Sequence, residues 1–398
     1  VYLGHRVTGG NAHSGALVNG KLYTWGRNNF GQTGLGIVSD MTAQPATHPL
    51  APSPVSTATP FVSLAFNQNH SLALDASGSL WSWGDDGDGQ LGRGDAGRSA
   101  CGAGSNNCRL DIGRVPGLTD VVTVATGYNH SLALRRDGSV WAFGLNDLGQ
   151  LGDGTTTLRS APVQVLWATA DAPLLGRVVQ VVASAKSSYA LDDKGRVWAW
   201  GRNQYANLGQ GAVSAASAAQ STPLLVPMPV GVRIVSVAAG RDHVLALADT
   251  GRVLAWGLNA VSQVGFNGYG YKAQPTAWPS PVLSPRSLPA MEAAPAIEVY
   301  ANGNTSYIRR ADGKLYPWGM FGATSGSGAT VYSNLDEPED RLQALSSMVD
   351  LGVGALHQVG LRDDGTLFTW GWSFEGSLGG GATTTNKWMY NIPLVVRP

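Results

Sequence analysis

The chain is predicted to be all-β, a closed seven-bladed β-propeller with about four antiparallel strands per blade, and three observations lead there. An aromatic residue followed by glycine closes a short apolar strand seven times: Trp25-Gly26, Trp83-Gly84, Phe143-Gly144, Trp200-Gly201, Trp256-Gly257, Trp318-Gly319 and Trp370-Gly371. These glycines lie 58, 60, 57, 56, 62 and 52 residues apart, room for four short strands each. Only 25 residues precede Gly26 and 27 follow Gly371, together one more repeat, so the ring closes. The same lengths place the terminal segments Val1 to Thr8 and Ile392 to Val396 in one shared blade. All 398 residues are expected to form a single domain, because a propeller grows by repeating small cores around a ring.

The third unit shows the order of elements. Asp120-Val121-Val122-Thr123-Val124-Ala125 is a β-branched run, Gly127-Tyr128-Asn129-His130 turns it into Ser131-Leu132-Ala133-Leu134, and Asp137-Gly138 turns that into Val140-Trp141-Ala142-Phe143. Alternating residues around an Asp-Gly turn specify an antiparallel hairpin. After Gly144 comes the loop Asn146-Asp147-Leu148-Gly149-Gln150-Leu151-Gly152, then Ala161-Pro162-Val163-Gln164-Val165 as a fourth strand, whose proline suits a strand start or an exposed edge. The second unit repeats this order with His70, Ser77-Gly78, Trp83-Gly84, Gln90-Leu91-Gly92 and Val115-Pro116.

This pattern resembles the regulator of chromosome condensation repeat family, whose units carry a Gly-x-x-His-Ser-x-Ala-Leu strand, an Asp-Gly turn, an aromatic-Gly pair and an Asn-x-x-Gly-Gln-Leu-Gly loop. The resemblance covers essentially the whole chain. β-Lactamase inhibitor protein II is similar in repeat type, with shorter units. Two blades depart from the pattern: Ser187 and Thr305 stand where histidine is expected in the fourth and sixth, and the sixth reads Met320-Phe321-Gly322-Ala323 in place of the glutamine loop.

Composition agrees with the fold and narrows the function. Fifty-three glycines and 21 prolines match a chain that turns four times per blade. Lys plus Arg is 27 and Asp plus Glu is 27, so no sequence-wide basic field exists to neutralise phosphates, and nucleic-acid binding is not expected. No run approaches the roughly 18 apolar residues of a membrane helix. Cys101 and Cys108 are the only cysteines, in a loop rich in small residues with no His or carboxylate between them to complete a zinc set. A disulfide is the expected pairing, and it implies an oxidising compartment: a secreted or cell-surface protein. The chain begins at Val1, consistent with removal of a signal peptide or with trimming.

Several residues invite a chemical reading that the repeat dismantles. His13, His70, His130, His243 and His357 look like a metal or acid-base cluster, yet each precedes its aromatic-Gly glycine by 13 or 14 residues. Repeat placement spreads them around the ring, so each is expected to make a structural hydrogen bond between blades. Asp85-Asp86-Gly87-Asp88-Gly89 looks like a calcium loop, but its equivalents are ordinary turns and the spaced bidentate glutamate is absent. No catalytic signature occurs: no Gly-x-Ser-x-Gly elbow, zinc helix or phosphate loop. The expectation is therefore no enzyme, no cofactor and no metal.

Strand parity says where function lies. The Asp-Gly turns fall on one face, while the Gly-x-x-His turns and the long segments after each aromatic-Gly pair share the other, which also receives the insertions. Candidate binding residues on that face are Arg27, Phe30, Arg202, Tyr205, Tyr269, Trp372 and Phe374, aromatic and arginine side chains on loops over a rigid frame. The leading reading is a secreted or surface-exposed bacterial protein-binding scaffold. The alternatives are a secreted enzyme inhibitor, a guanine nucleotide exchange factor and a carbohydrate-binding or carbohydrate-active propeller.

Overall fold

The glycine after each aromatic residue has a backbone only glycine adopts freely: φ is +94° at Gly26, +99° at Gly84, +110° at Gly144 and +103° at Gly371. A Cβ there would lie 2.4 to 2.6 Å from the carbonyl oxygen of the residue before the repeat histidine, as with Ala12 O at Gly26 and Asn69 O at Gly84. This close approach fixes the register of the second and third strands, in which His13 pairs with Gly26, His70 with Gly84 and His130 with Gly144. The remaining strands follow from it.

The computed structural model describes residues 5–39, 49–101, 107–167, 176–265, 276–281, 295–311, 313–324, 330–335, 348–372, 376–381 and 389–396. Seven four-stranded antiparallel sheets form the blades, each in chain order from the channel outward. The second strands, such as His70–Asp75 and His243–Ala248, are buried on both faces because a neighbouring blade covers each side. Inner strands bulge near their start, as between Phe61 and Ser63, and outer strands are more exposed, as at Arg159–Gln164. The apolar core runs around the ring in the gaps between blades; one cluster joins Tyr189 and Leu191 of the fourth blade to Val244, Ala246 and Trp256 of the fifth.

The terminal strands do not share a blade. Val7–Gly9 pairs with His13–Val18 in the first sheet, and Met389–Val396 pairs with Leu367–Trp372 in the seventh. The lengths at the two ends do sum to one repeat, but a repeat counted from one aromatic-Gly pair to the next spans two blades. It holds the outer strand of one and the first three strands of the next, so the chain is cut at a blade boundary. The ring closes as every other seam does, through packing and side-chain bonds: Val7, Ala16 and Trp25 pack with Val359, Leu361 and Leu367.

The histidines stitch these seams. His13 Nε2 meets Ser71 Oγ of the next blade at 3.3 Å, His70 meets Ser131 at 3.1 Å, His130 meets Ser188 at 2.9 Å and His243 meets Ser306 at 2.8 Å. His357 closes the ring on Ser14 at 2.7 Å. Each serine hydroxyl in turn donates to a loop carbonyl of the preceding blade, as Ser71 does to Gln32 O at 2.9 Å and Ser188 to Gln150 O at 2.7 Å. The tryptophan of the aromatic-Gly pair donates to the same oxygen, Trp83 to Gln32 O and Trp200 to Gln150 O, both at 2.9 Å. The glutamine loop holds that carbonyl still: in the third blade, Leu148 N donates to Gln150 Oε1 and Leu151 N to Asn146 Oδ1, both at 2.9 Å.

Burial drives these imidazoles neutral, to a pKa of about 3 for His13, His70, His130 and His243 and about 4 for His357. The unfolded chain takes up protons near pH 6.5 and the folded chain does not, so stability is fully present above pH 6.5 and falls as pH drops toward 3. Denaturant midpoints measured between pH 7 and 5 should decline as the five histidines take up protons on unfolding, offset by about one for Asp85, which the fold holds near 6, and His130→Asn should lower the slope by about one. Replacing His130 by alanine should cost roughly 1–3 kcal/mol, because the buried Ser188 oxygen loses its donor, read from chemical denaturation at pH 8.

Candidate partner-binding face

The turn before each repeat histidine holds two residues whose backbone is pinned and whose side chains differ from blade to blade. They are Asn11-Ala12, Gln68-Asn69, Tyr128-Asn129, Ala185-Lys186, Arg241-Asp242, Gly303-Asn304 and Ala355-Leu356. A belt of main-chain bonds links them around the channel mouth: Tyr128 N to Ala185 O at 3.2 Å, Ala185 N to Arg241 O at 3.2 Å, Arg241 N to Gly303 O at 2.7 Å and Ala355 N to Gly10 O at 3.0 Å. Because the histidine strand pairs directly with the aromatic-Gly strand, these turns and the glutamine loops share one rim, as strand parity requires.

In five of the turns the second residue, Asn69, Asn129, Lys186, Asp242 or Asn304, reaches the loop of the preceding blade. Asn129 donates to Asp88 at 2.5 Å, Lys186 pairs with Asp147 at 2.6 Å and Asp242 accepts the Arg202 guanidinium. Asp242 is buried and bracketed by a second guanidinium, with Arg241 Nε 3.5 Å from its other oxygen. Arg202 also lies 5.4 Å over the Tyr205 ring, and its carbonyl accepts the Ser187 hydroxyl at 2.7 Å. Burial raises the Tyr128 phenol, while the nearby Arg241 and Arg202 pull it down. Tyr128, Arg241, Arg202 and Tyr205 therefore form one polar-aromatic patch over the third to fifth blades, with Arg241 its exposed member at 55% side-chain accessibility.

The predicted residues do not all converge. Arg202 and Tyr205 come together, but the Arg202 side chain, 16% exposed, is largely committed to the seam between the fourth and fifth blades. Arg27 and Phe30 occupy the equivalent loop of the first blade, three blades away, and both are half-buried. Tyr269 and Phe374 lie outside the described residues; Trp372 ends the strand Leu367–Trp372, where its backbone pairs with Met389. Sequence reasoning did not single out Tyr128 on this rim, nor the mouth position of Arg241. The available signal was that the two x positions of Gly-x-x-His vary while everything around them repeats.

The other chemical candidates are absorbed by structure. In the acidic loop, the buried Asp86 carboxylate accepts Arg98 Nε at 3.1 Å and Arg109 Nε at 3.0 Å, and Asp85 Oδ1 caps Gly87 N at 3.0 Å. Burial holds Asp85 up at about 6, with Asp88 and Asp86 adding to the effect. Cys101 and Cys108 are joined, with Cα atoms 5.8 Å apart, beside a Ser99–Cys108 backbone bridge. No group of three His, Cys, Asp or Glu suited to a metal occurs among the described residues.

A central channel of about 740 Å³ runs between the inner strands. Near its Asp-Gly end, His5 Nδ1 lies 2.8 Å from Asp350, which also accepts Arg6 N at 2.5 Å and Val7 N at 3.2 Å. Burial opposes charge on both groups, yet each outweighs it in the other, so His5 is raised and Asp350 lowered. Glu298 there accepts the Tyr300 hydroxyl and both arms of Arg309, at 2.7 and 2.5 Å.

Comparison with known proteins agrees with this architecture. A model of the RCC1-like domain matches residues 94–397, and models of the regulator of chromosome condensation (RCC1) repeat match residues 19–74 and 61–90. The ultraviolet-B receptor UVR8 of Arabidopsis thaliana is 27% identical over 98% of this chain and 81% of its own length. Human RCC2 is 30% identical over 63% of this chain and 48% of its own. Among solved structures, yeast RCC1 (Prp20) bound to Kap60 superposes with a TM-score of 0.76 at 21% identity, covering 100% of this chain and 85% of that one.

Arg202→Ala should leave Asp242 buried beside a single, more distant guanidinium and destabilise the fold by about 3 kcal/mol, whereas Arg241→Ala should change stability by less than about 0.5 kcal/mol. Urea denaturation of the two variants measures the contrast. Equal effects would show that Arg202 is as free for partner contact as Arg241.

Proposed function

We infer that this chain, which belongs to the regulator of chromosome condensation repeat family, is a protein-binding scaffold whose partner docks on the rim of Gly-x-x-His turns and aromatic-Gly loops. One observation carries the reading: main-chain bonds link the turns at five of the seven seams, and asparagine side chains bridge the other two, while no two of the seven turn dipeptides are the same. A frame that repeats and a rim that does not is the arrangement expected of a surface matched to one partner. Arg241 and Tyr128, with Tyr205 behind them, supply the residue types that concentrate binding energy in interfaces.

The reading is of a binding protein without catalytic chemistry, whose partner is a protein rather than a nucleic acid, since 27 basic residues are offset by 27 acidic ones. The Cys101–Cys108 disulfide supports a secreted or surface location. It closes too short a loop to be a major source of stability, about 2.5 kcal/mol at most, so reduction should lower the denaturation midpoint modestly and leave the ring folded.

The test begins with proteins that co-purify with the native chain, cross-linked in place and mapped by mass spectrometry. Contacts should fall on Tyr128, Arg241 and the loops after the aromatic-Gly pairs, and Arg241→Ala or Tyr128→Ala should each weaken binding by about 2 kcal/mol or more with melting temperature unchanged. Cross-links confined to the Asp-Gly turns would overturn the assignment of the face.

A further inference from the structure

Arg241 holds the first position of the fifth turn, and its neighbours around the belt are small. Ala185 stands at that position in the fourth turn and Gly303 in the sixth, joined to it by Ala185 N to Arg241 O at 3.2 Å and Arg241 N to Gly303 O at 2.7 Å. Neither neighbour has a side chain long enough to shield the guanidinium, and Arg241 stays 55% exposed. On the far side of Ala185 the next first position is Tyr128, whose N–H donates to Ala185 O at 3.2 Å. Tyr128, Ala185 and Arg241 all line the mouth of the central channel. Ala185 is itself buried, so the three make a notch one blade wide, with an alanine floor between a phenol and a guanidinium.

The notch is cationic. Asp242 is one carboxylate shared by two guanidiniums, of which Arg202 makes the close contact while Arg241 only approaches, its Nε 3.5 Å from the other oxygen. One positive charge is left over, and it lies on the exposed member of the pair. Lys186, next to the floor residue, adds none, being paired with Asp147 at 2.6 Å. Among the described residues, neither the Arg241 guanidinium nor the Tyr128 hydroxyl makes a hydrogen bond. Of the charged groups, Arg241 acts on the Tyr128 phenol most strongly, ahead of Asp242 and Arg202, yet burial keeps that phenol above its ordinary range. At neutral pH it therefore carries its proton, and the notch presents donors from both walls.

We propose that this notch receives the side-chain carboxylate of an aspartate or glutamate on the partner protein, gripped by the Nη fork of Arg241 and capped by the Tyr128 hydroxyl. The assignment rests on the rim as the docking face and adds the chemistry of the partner there. A guanidinium presents parallel N–H donors that match the two oxygens of a carboxylate, and the phenol supplies a further donor from the other wall. One spare charge suits a carboxylate better than a phosphate group, which brings roughly two. The notch opens on the rim, so a side chain on a passing loop reaches it without a chain end being threaded in. Asp242 steadies the guanidinium without saturating it, because Arg202 already answers that carboxylate.

The probe is N-acetylglutamate N-methylamide, a capped single residue, titrated to about 50 mM at neutral pH and constant ionic strength while NMR follows the Arg241 Nε–H and the backbone amides of Tyr128, Ala185 and Arg241. Saturable shifts centred on these groups are expected, with a Kd on the order of 10 mM, and the glutamine analogue should produce shifts at least about fivefold smaller. Arg241→Gln should abolish the response and Tyr128→Phe should weaken it about threefold, both with melting temperature unchanged. Equal responses to the glutamate and glutamine compounds would overturn the proposal. So would binding at least about 10-fold tighter by inorganic phosphate, or by the chain-end carboxylate of N-acetylglycine, than by capped glutamate. Cross-links of the natural partner on the rim with a silent notch would overturn this assignment and leave the face standing, whereas cross-links confined to the Asp-Gly turns would overturn both.

Discussion

A single carbonyl oxygen at six of the seven seams explains most of the repeat. At four of them it accepts a tryptophan indole and a serine hydroxyl from the next blade, and the serine oxygen is met from behind by the histidine of the blade that owns the loop. Trp200, Ser188 and His130 meet this way at Gln150 O. Such a network is stable only when complete, because in a dry interface each unpaired member costs more than each bond contributes. The glutamine side chain, the asparagine four residues before it and the glycines between them fold the loop so that the carbonyl arrives in place. The glycine three before the histidine is part of the same constraint: a Cβ at Gly127 or Gly240 would stand 2.1 Å from the imidazole.

What could be read from the sequence was what repeats. The number of blades, the turn positions, the face carrying the loops and the structural role of the five histidines all follow from spacing, because each expresses a contact made at nearly every seam. The shared terminal blade was not readable in this way. The repeat length is the same wherever the chain is cut, and only the pairing of Val7–Gly9 with His13–Val18 reveals the cut. The candidate site was legible in part: Arg202 and Tyr205 were identified as neighbours on the right rim, but not that a buried aspartate from the next blade, Asp242, would claim the Arg202 guanidinium. That contact joins residues 40 positions apart, and although Lys186–Asp147 and Asn129–Asp88 bridge neighbouring seams in the same way, each uses a different pair of residue types.

Departures from the repeat carry a different kind of information. Ser187, Tyr189 and Val244 are three apparently unrelated losses of pattern, yet they are one substitution spread over two blades, since removing the histidine frees the serine position and leaves the carbonyl needing a new donor, which the Tyr189 hydroxyl supplies to Asn207 O at 3.0 Å. Asn67 and Asn302 behave similarly where four other blades have the glycine before the turn and the fourth has Ser184. Their side chains donate to Thr126 O at 2.9 Å and Val353 O at 2.6 Å, bonds that hold the inner strands of neighbouring blades together at positions where glycine offers only its backbone.

The mouth is free to vary because the frame asks nothing of the side chains there. The first residue of a turn contributes backbone groups rather than its side chain to the belt, as Ala185 does to Tyr128 and Arg241, so asparagine, glutamine, tyrosine, alanine, arginine and glycine all serve. The second residue is more constrained where it is polar, because there it reaches the preceding loop, and that is where Lys186 and Asp242 are consumed. Surface chemistry can therefore be retuned at the first position of seven turns at little cost in stability, whereas a change at the second disturbs a seam. Recognition by this ring should rest mainly on the first positions, and the exposed guanidinium of Arg241 and the phenol of Tyr128 are where that freedom has been used most.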